Sequence, residues 1–183
     1  MARFPLSSSM SLIQSAEATT DLSTSAGYTA TIVGKENSSD VLQGTEESNV
    51  IVGLSGNDQI FGNGGDDVIC GGDGNDVLIG GAGNDTLLGD DRNDTLLDEA
   101  DNDTLLGDIL TCVGTGNDVL IGGAGNDTLR GDASDDTLLG DTGDDTLTGG
   151  LGSDRFICGG GADSIFDFNA DEGDAKTADC ENF

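Results

Sequence analysis

Residues 71–88 are two consecutive copies of one nine-residue unit: Gly71-Gly72-Asp73-Gly74-Asn75-Asp76-Val77-Leu78-Ile79, then Gly80-Gly81-Ala82-Gly83-Asn84-Asp85-Thr86-Leu87-Leu88. The unit has the form G-G-x-G-x-D-x-U-x, where U is large and apolar. A chain that repeats so short a unit is limited to folds in which each copy packs only on its neighbours. The sixth-position acid recurs every nine residues at Asp58, Asp67, Asp76, Asp85, Asp94 and Asp103. After six inserted residues it resumes at Asp118, Asp127, Asp136, Asp145, Asp154 and Asp163, while Asp40 and Asn49 extend it backwards. The eighth-position apolar residue follows two places later, from Ile60 and Ile69 through Leu78, Leu87, Leu96 and Leu105 to Leu120, Leu129, Leu138, Leu147, Phe156 and Ile165.

The triplet around U is rich in Val, Thr, Ile and Leu, which suit a short pleated strand. The Gly-rich hexad before it reads as a turn, because glycine tolerates left-handed conformations. One strand and one turn per unit make half a solenoid coil, so consecutive units lie on opposite sheets. Acids of alternate units then stack one strand spacing apart, roughly 4.8 Å.

Such a stack needs a counter-ion. Two carboxylates about 5 Å apart repel by roughly 1 kcal/mol in water and about 3 kcal/mol at an effective dielectric of 20. One buried Leu per unit returns about 3 kcal/mol at most, against an ordering cost on the order of 9–18 kcal/mol per nine residues. A divalent cation reverses the sign of the acid contribution. Carboxylates together with the backbone carbonyls of a pliable Gly-rich turn are hard oxygen ligands that suit Ca²⁺ better than Mg²⁺. Zinc is disfavoured: the chain has no His, and its four Cys show no paired spacing. The candidate carboxylate ligands are the twelve sixth-position aspartates from Asp58 to Asp163. The candidate turn glycines are those of the best-preserved hexads: Gly62, Gly64, Gly71, Gly72, Gly74, Gly80, Gly81, Gly83, Gly122, Gly123, Gly125, Gly149, Gly150 and Gly152.

The nonapeptide resembles the repeats-in-toxin (RTX), haemolysin-type Ca²⁺-binding repeat, well over residues 53–166 and weakly over 35–52. The resemblance implies an all-β fold, a right-handed parallel β-roll in which sixth-position Asp side chains and turn carbonyls hold several Ca²⁺ ions. It also implies a bacterial, secreted protein, extracellular and often exported by a type I route. The alternative is an accessory or structural module, a fragment or paralogue of an RTX toxin, adhesin, lipase or protease.

Three regions follow from the period: a leader or cap at 1–34, the roll at 35–166 with its insertion at 107–115, and a cap and tail at 167–183. The insertion is either a loop bulging from one continuous roll or a break between two rolls, and the intact period on both flanks favours the bulge. Thr29-Ala30-Thr31-Ile32-Val33 is a candidate capping strand, with a flexible leader as the alternative. Arg92 and Asp101 replace fourth-position glycines and Asp98-Glu99 replace a Gly pair, so weaker or irregular sites are expected near Asp94 and Asp103. Phe166 and Phe168 are expected to cover the last coil. Cys158 and Cys180 could staple the tail to that coil, with free thiols as the alternative.

Charge bounds the partners. The formal net charge is -30, from Lys+Arg 6 against Asp+Glu 36. No basic stripe exists to meet phosphate, so nucleic acid is excluded as a partner, and no apolar run has the length of a membrane span. Without His there is no imidazole base, and a catalytic role is not expected. Seventh-position Thr86, Thr95, Thr104, Thr128, Thr137 and Thr146 read as β-propensity on an outward face. Ninth-position Ile79, Leu88, Leu97, Leu106, Ile121 and Leu139 would face outward by alternation and form an apolar stripe available for self-association.

Overall fold

The computed structural model describes residues 30–107 and 116–180. Among the described residues there are sixteen strands, β1 to β16 in chain order, and no helix. The odd strands form one parallel eight-stranded sheet: β1 (Ile32–Val33), β3 (Val50–Ser55), β5 (Val68–Asp73), β7 (Thr86–Asp91), β9 (Thr104–Leu106), β11 (Thr128–Ala133), β13 (Thr146–Leu151) and β15 (Ser164–Ile165). The even strands form the other: β2 (Val41–Gln43), β4 (Gln59–Gly64), β6 (Val77–Ala82), β8 (Thr95–Leu97), β10 (Val119–Ala124), β12 (Thr137–Thr142), β14 (Arg155–Gly160) and β16 (Ala175–Lys176). From β2 to β15 the pairs are in register by repeat position: Leu78 lies beside Leu96, and Leu87 beside Leu105. This is a parallel β-solenoid, with one unit on each face of every coil.

The core is as narrow as the sequence requires. The eighth-position side chains from Ile60 to Phe156 are all fully buried and form one continuous cluster between the sheets. Their neighbours at positions seven and nine point away from it. The ladder crosses the insertion without a break, because Leu96 pairs Leu120 and Leu105 pairs Leu129. Part of the insertion, residues 108–115 with Cys112, lies outside the described residues.

Many strands are six residues long, so half of each hexad belongs to the ladder rather than to a turn. The chain rounds the corner at the second position, which takes a left-handed conformation, and again at the fourth. At Gly72 (φ 105°) a Cβ would run into the carbonyl of Leu54 one coil back. Arg92 (φ 90°), Asp101 (φ 83°) and Ser134 (φ 92°) adopt the same left-handed conformation at the fourth position without glycine. Each costs roughly 1–2 kcal/mol. Beside Asp98 the strands are interrupted: β8 and β9 are three residues long, and Ala100 meets Ala82 and Ala124 only as an isolated bridge.

The ends differ from the middle. β1 covers the first coil by pairing β3. At the other end Cys158 and Cys180 form a disulfide with Cα atoms 5.0 Å apart. Phe168 packs edge-on against Phe156, ring centroids 6.3 Å apart, and Lys176 sits 5.1 Å over the Phe168 ring. Phe166 does not share this role. It is 73% exposed, because it occupies the ninth position and alternation turns it outward. The expected ninth-position stripe is also less open than alternation alone implies: Ile79, Leu97, Leu106, Ile121 and Leu139 are half-buried and Leu88 is buried. Rungs stacked about 4.8 Å apart cover one another's flanks.

The disulfide closes a loop of 22 residues over the last coil, which corresponds to about 3 kcal/mol of stabilisation in the chain-entropy account. Replacing both partners (Cys158→Ala with Cys180→Ala) is expected to lower stability by about 2–4 kcal/mol in urea unfolding followed in Ca²⁺. An unchanged midpoint would show that the last coil holds itself closed.

Candidate metal centre

The turns carry two rows of stacked aspartates, one on each edge of the roll. All twelve from Asp58 to Asp163 are buried, none more than 2% exposed. Their two oxygens have different tasks. Oδ1 accepts the backbone N–H of the sixth-position residue one coil earlier: Asp58 N–H donates to Asp76 at 2.7 Å, Asp67 N–H to Asp85 at 2.7 Å, and Asp118 N–H to Asp136 at 2.9 Å. The same bond spans the insertion from Asp94 N–H to Asp118 at 2.7 Å and from Asp103 N–H to Asp127 at 2.9 Å. The other oxygen has no such use. Oδ2 of Asp58, Asp67, Asp76, Asp85, Asp103, Asp118, Asp127, Asp145, Asp154 and Asp163 is buried with no hydrogen-bond partner.

First-position glycines shape the space in front of these oxygens. A Cβ on Gly71 would lie 2.5 Å from Asp76 Oδ2 and 2.9 Å from the Gly89 carbonyl of the next coil. At Gly53 the corresponding groups are Asp58 Oδ2 and the Gly71 carbonyl, each at 2.5 Å. Gly62, Gly80, Gly122 and Gly149 likewise face the Oδ2 of their own unit's acid. The missing Cβ therefore leaves a cradle lined by carboxylate and carbonyl oxygens with no donor to satisfy them. Buried polar atoms in folded proteins are overwhelmingly partnered, and hard oxygens without hydrogen atoms are a donor set for Ca²⁺. The residues fit that ion.

Burial sets the electrostatics. It pushes the carboxyl of Asp67 up from 3.8 to about 6, and those of Asp76 and Asp103 to about 7, against the lowering effect of the backbone N–H each accepts. Asp118 and Asp145 are raised to about 6, and Asp58, Asp85, Asp127 and Asp154 are raised for the same reason.

The RTX calcium-binding nonapeptide repeat profile matches residues 43–78, 79–109, 113–147 and 131–165. The chain belongs to this repeat family. No curated protein matches the chain. Membership and the orphaned oxygens agree on the ion, and the RTX roll places the sixth-position aspartates where the period puts them.

Three features of the RTX edge were not read from the sequence. The fifth position carries a second ladder of opposite sense, in which Asn75 N–H donates back to Asn57 Oδ1 at 3.0 Å and Asn126 N–H to Asn102 Oδ1 at 2.9 Å. Its signal was available, since Asn or Asp precedes almost every sixth-position acid. The rows also end on side chains that consume their own oxygens. Asn49 Oδ1 accepts Thr45 N–H at 2.6 Å, and Asp174 accepts Asp154 N–H at 2.9 Å and Asn169 N–H at 2.7 Å. Asp167 in turn accepts the N–H groups of Gly149 and Gly150 at 3.0 and 2.7 Å. Third, Asp98 is buried at the first position and raised to about 8 by burial and by the charge of Asp103.

These shifts give a pH dependence with a definite sign. An unfolded Asp titrates near 3.9, whereas the buried ones hold their protons to about 6–8. Between those limits the metal-free roll binds more protons than the unfolded chain. Its stability is therefore greatest below about pH 4 and is lost as pH rises through about 6–8. In chelator, acidification from pH 8 to about pH 5 is expected to raise the far-UV strand signal; a signal independent of pH would contradict the account. Asp76→Asn should act with opposite sign in the two states. It removes a buried charge and moves the metal-free transition to higher pH. In Ca²⁺ it removes a ligand and lowers urea stability by about 1–3 kcal/mol. A loss or a gain in both states would exclude a ligand role for Asp76.

Proposed function

We propose that the chain is a secreted, non-catalytic RTX protein whose folding is driven by several Ca²⁺ ions held between successive coils. The observation that carries the reading is the row of buried Oδ2 atoms without partners along both edges. Leaving a buried carboxylate uncompensated costs several kcal/mol, and the ion pair between Arg130 and Asp132 lies outside the sixth-position rows. Bound Ca²⁺ supplies the missing positive charge. An ion at ten times its dissociation constant adds about 1.4 kcal/mol to folding, so roughly eight would add about 11 kcal/mol. That equals the whole stability of an ordinary domain, so the metal-free chain at neutral pH is left largely unfolded.

The remaining parts of the reading have separate support. The Cys158–Cys180 disulfide fits an oxidising, extracellular compartment. The buried acids are spent on the ladder, and the chain has no His. Burial and the nearby acids push the Cys70 thiol up, which leaves it a poor nucleophile. The charge of -30 disfavours nucleic acid as a partner.

Far-UV circular dichroism at pH 7.5 tests the proposal. The strand spectrum is expected to develop on Ca²⁺ titration, to disappear with chelator, and to stay undeveloped at the same concentration of Mg²⁺. A spectrum unchanged by chelator would remove calcium from the folding reaction.

A further inference from the structure

The turn at Asp98 departs from its neighbours in a way that adds a ligand. Asp98 holds the first position of the 98–106 unit, which is glycine in both preceding units (Gly80 and Gly89) and both following ones (Gly107 and Gly122). Its side chain turns inward and is 3% exposed. Oδ1 accepts the N–H of Glu99 at 2.7 Å and of Gly81, one coil back, at 3.3 Å. Oδ2 is buried without a hydrogen-bond partner.

This unpaired oxygen is aimed at an existing cradle. A Cβ on Gly80 would run into both Asp98 Oδ2 and Asp85 Oδ2. Asp103, the sixth residue of the same unit as Asp98, stacks on Asp85 through the bond from Asp85 N–H to Asp103 Oδ1 at 2.8 Å. Both stacked acids leave Oδ2 unpaired. One carboxylate oxygen from each of Asp85, Asp98 and Asp103 lies within 4.8 Å of the others. Among the described residues this is the one place where three such groups converge.

A structural role accounts for Oδ1 of the third acid but not for Oδ2. Glycine fits the first position in the adjoining coils, and Asp98 interrupts the strand there, β8 ending at Leu97 and Ala100 returning only as an isolated bridge to Ala82 and Ala124. A third uncompensated carboxylate beside two others raises the cost of burial. The same charge becomes an advantage once a cation is present, because the number of charged ligands tunes the affinity of an oxygen site.

The geometry points to a three-carboxylate cation site between the coils of Asp85 and Asp103, with Asp98 as its extra ligand. It is the first site to fill, and it favours hard cations of higher charge over the two-carboxylate turns. This inference rests on the calcium reading and reverses the sequence expectation of a weak site near Asp103.

Europium(III), a hard trivalent ion close to Ca²⁺ in size, reads the point directly. Its unsplit excitation band moves to lower energy as the formal charge of the ligand set grows. In the full chain the first equivalent is expected to give a band at lower energy than later equivalents. Asp98→Gly, which restores the neighbours' residue, should abolish that early band. Asp98→Asn, which keeps the shape, should merge it with the rest, and Asp145→Asn should leave it in place. In Ca²⁺ calorimetry, Asp98→Asn is expected to weaken the tightest class about tenfold or more. An early band that survives both Asp98 variants, or a wild-type titration with one class of site, overturns the inference while leaving the calcium reading intact. Absence of Ca²⁺ binding altogether overturns both.

Discussion

The division of labour within one carboxylate governs this protein. Oδ1 of each sixth-position aspartate takes the N–H of the coil before it, which fixes the spacing and register of the stack. Oδ2 of Asp67, Asp76, Asp85 and Asp127, among others, is then buried, aimed between coils, and without a donor. The bond that builds the solenoid thus creates the electrostatic problem that only protons or cations can solve. Protons solve it at low pH, because burial holds these carboxyls protonated well above their ordinary range. On the proposed reading a hard dication solves it at neutral pH, and folding and metal binding become one reaction.

The roll is economical because each repeat position has one task. Position eight fills a core one side chain thick on each sheet. Position six supplies the ladder and, on the proposed reading, the ligand, and position five runs a second ladder the other way. Position one is glycine along most of the roll, since a Cβ there would crowd the sixth-position carboxylate, and Asp98 is an exception whose side chain turns into that space. Positions two and four turn the corner. When arginine, aspartate or serine replaces glycine at position four, the conformation persists at a modest cost. The tolerance has a physical origin: the ladder bonds on both sides over-determine the corner.

Much of this was legible from the period. Two parallel sheets, alternate units on opposite faces, the buried eighth position and the acids of position six all follow from counting in nines. What the period hid were side chains whose role depends on where they stand in the stack. Asp98 reads as a lost glycine, and the pattern cannot say that the new side chain turns inward onto Gly80. Asn57 and Asn75 look like ordinary turn residues until the stack places one N–H over the other's amide oxygen. Beyond Asp163 the period ends, and nothing in the spacing announces that Asp174 takes the place of the next rung or that Asp167 caps Gly149 and Gly150. Phe166 and Phe168 are two residues apart and share composition and hydropathy. Phe166 still follows the ladder, its N–H bonded to the Leu147 carbonyl at 3.1 Å, whereas Phe168 folds over Phe156.

The most direct test of the central claim is where the ions sit. Crystals grown in Ca²⁺ and measured for calcium anomalous scattering should show peaks along both edges of the roll. Each peak should lie against the Oδ2 atoms of aspartates in two consecutive coils, such as Asp67 with Asp85 or Asp127 with Asp145. A well-ordered roll grown at neutral pH in abundant Ca²⁺, with no anomalous density between those oxygens, would contradict the account.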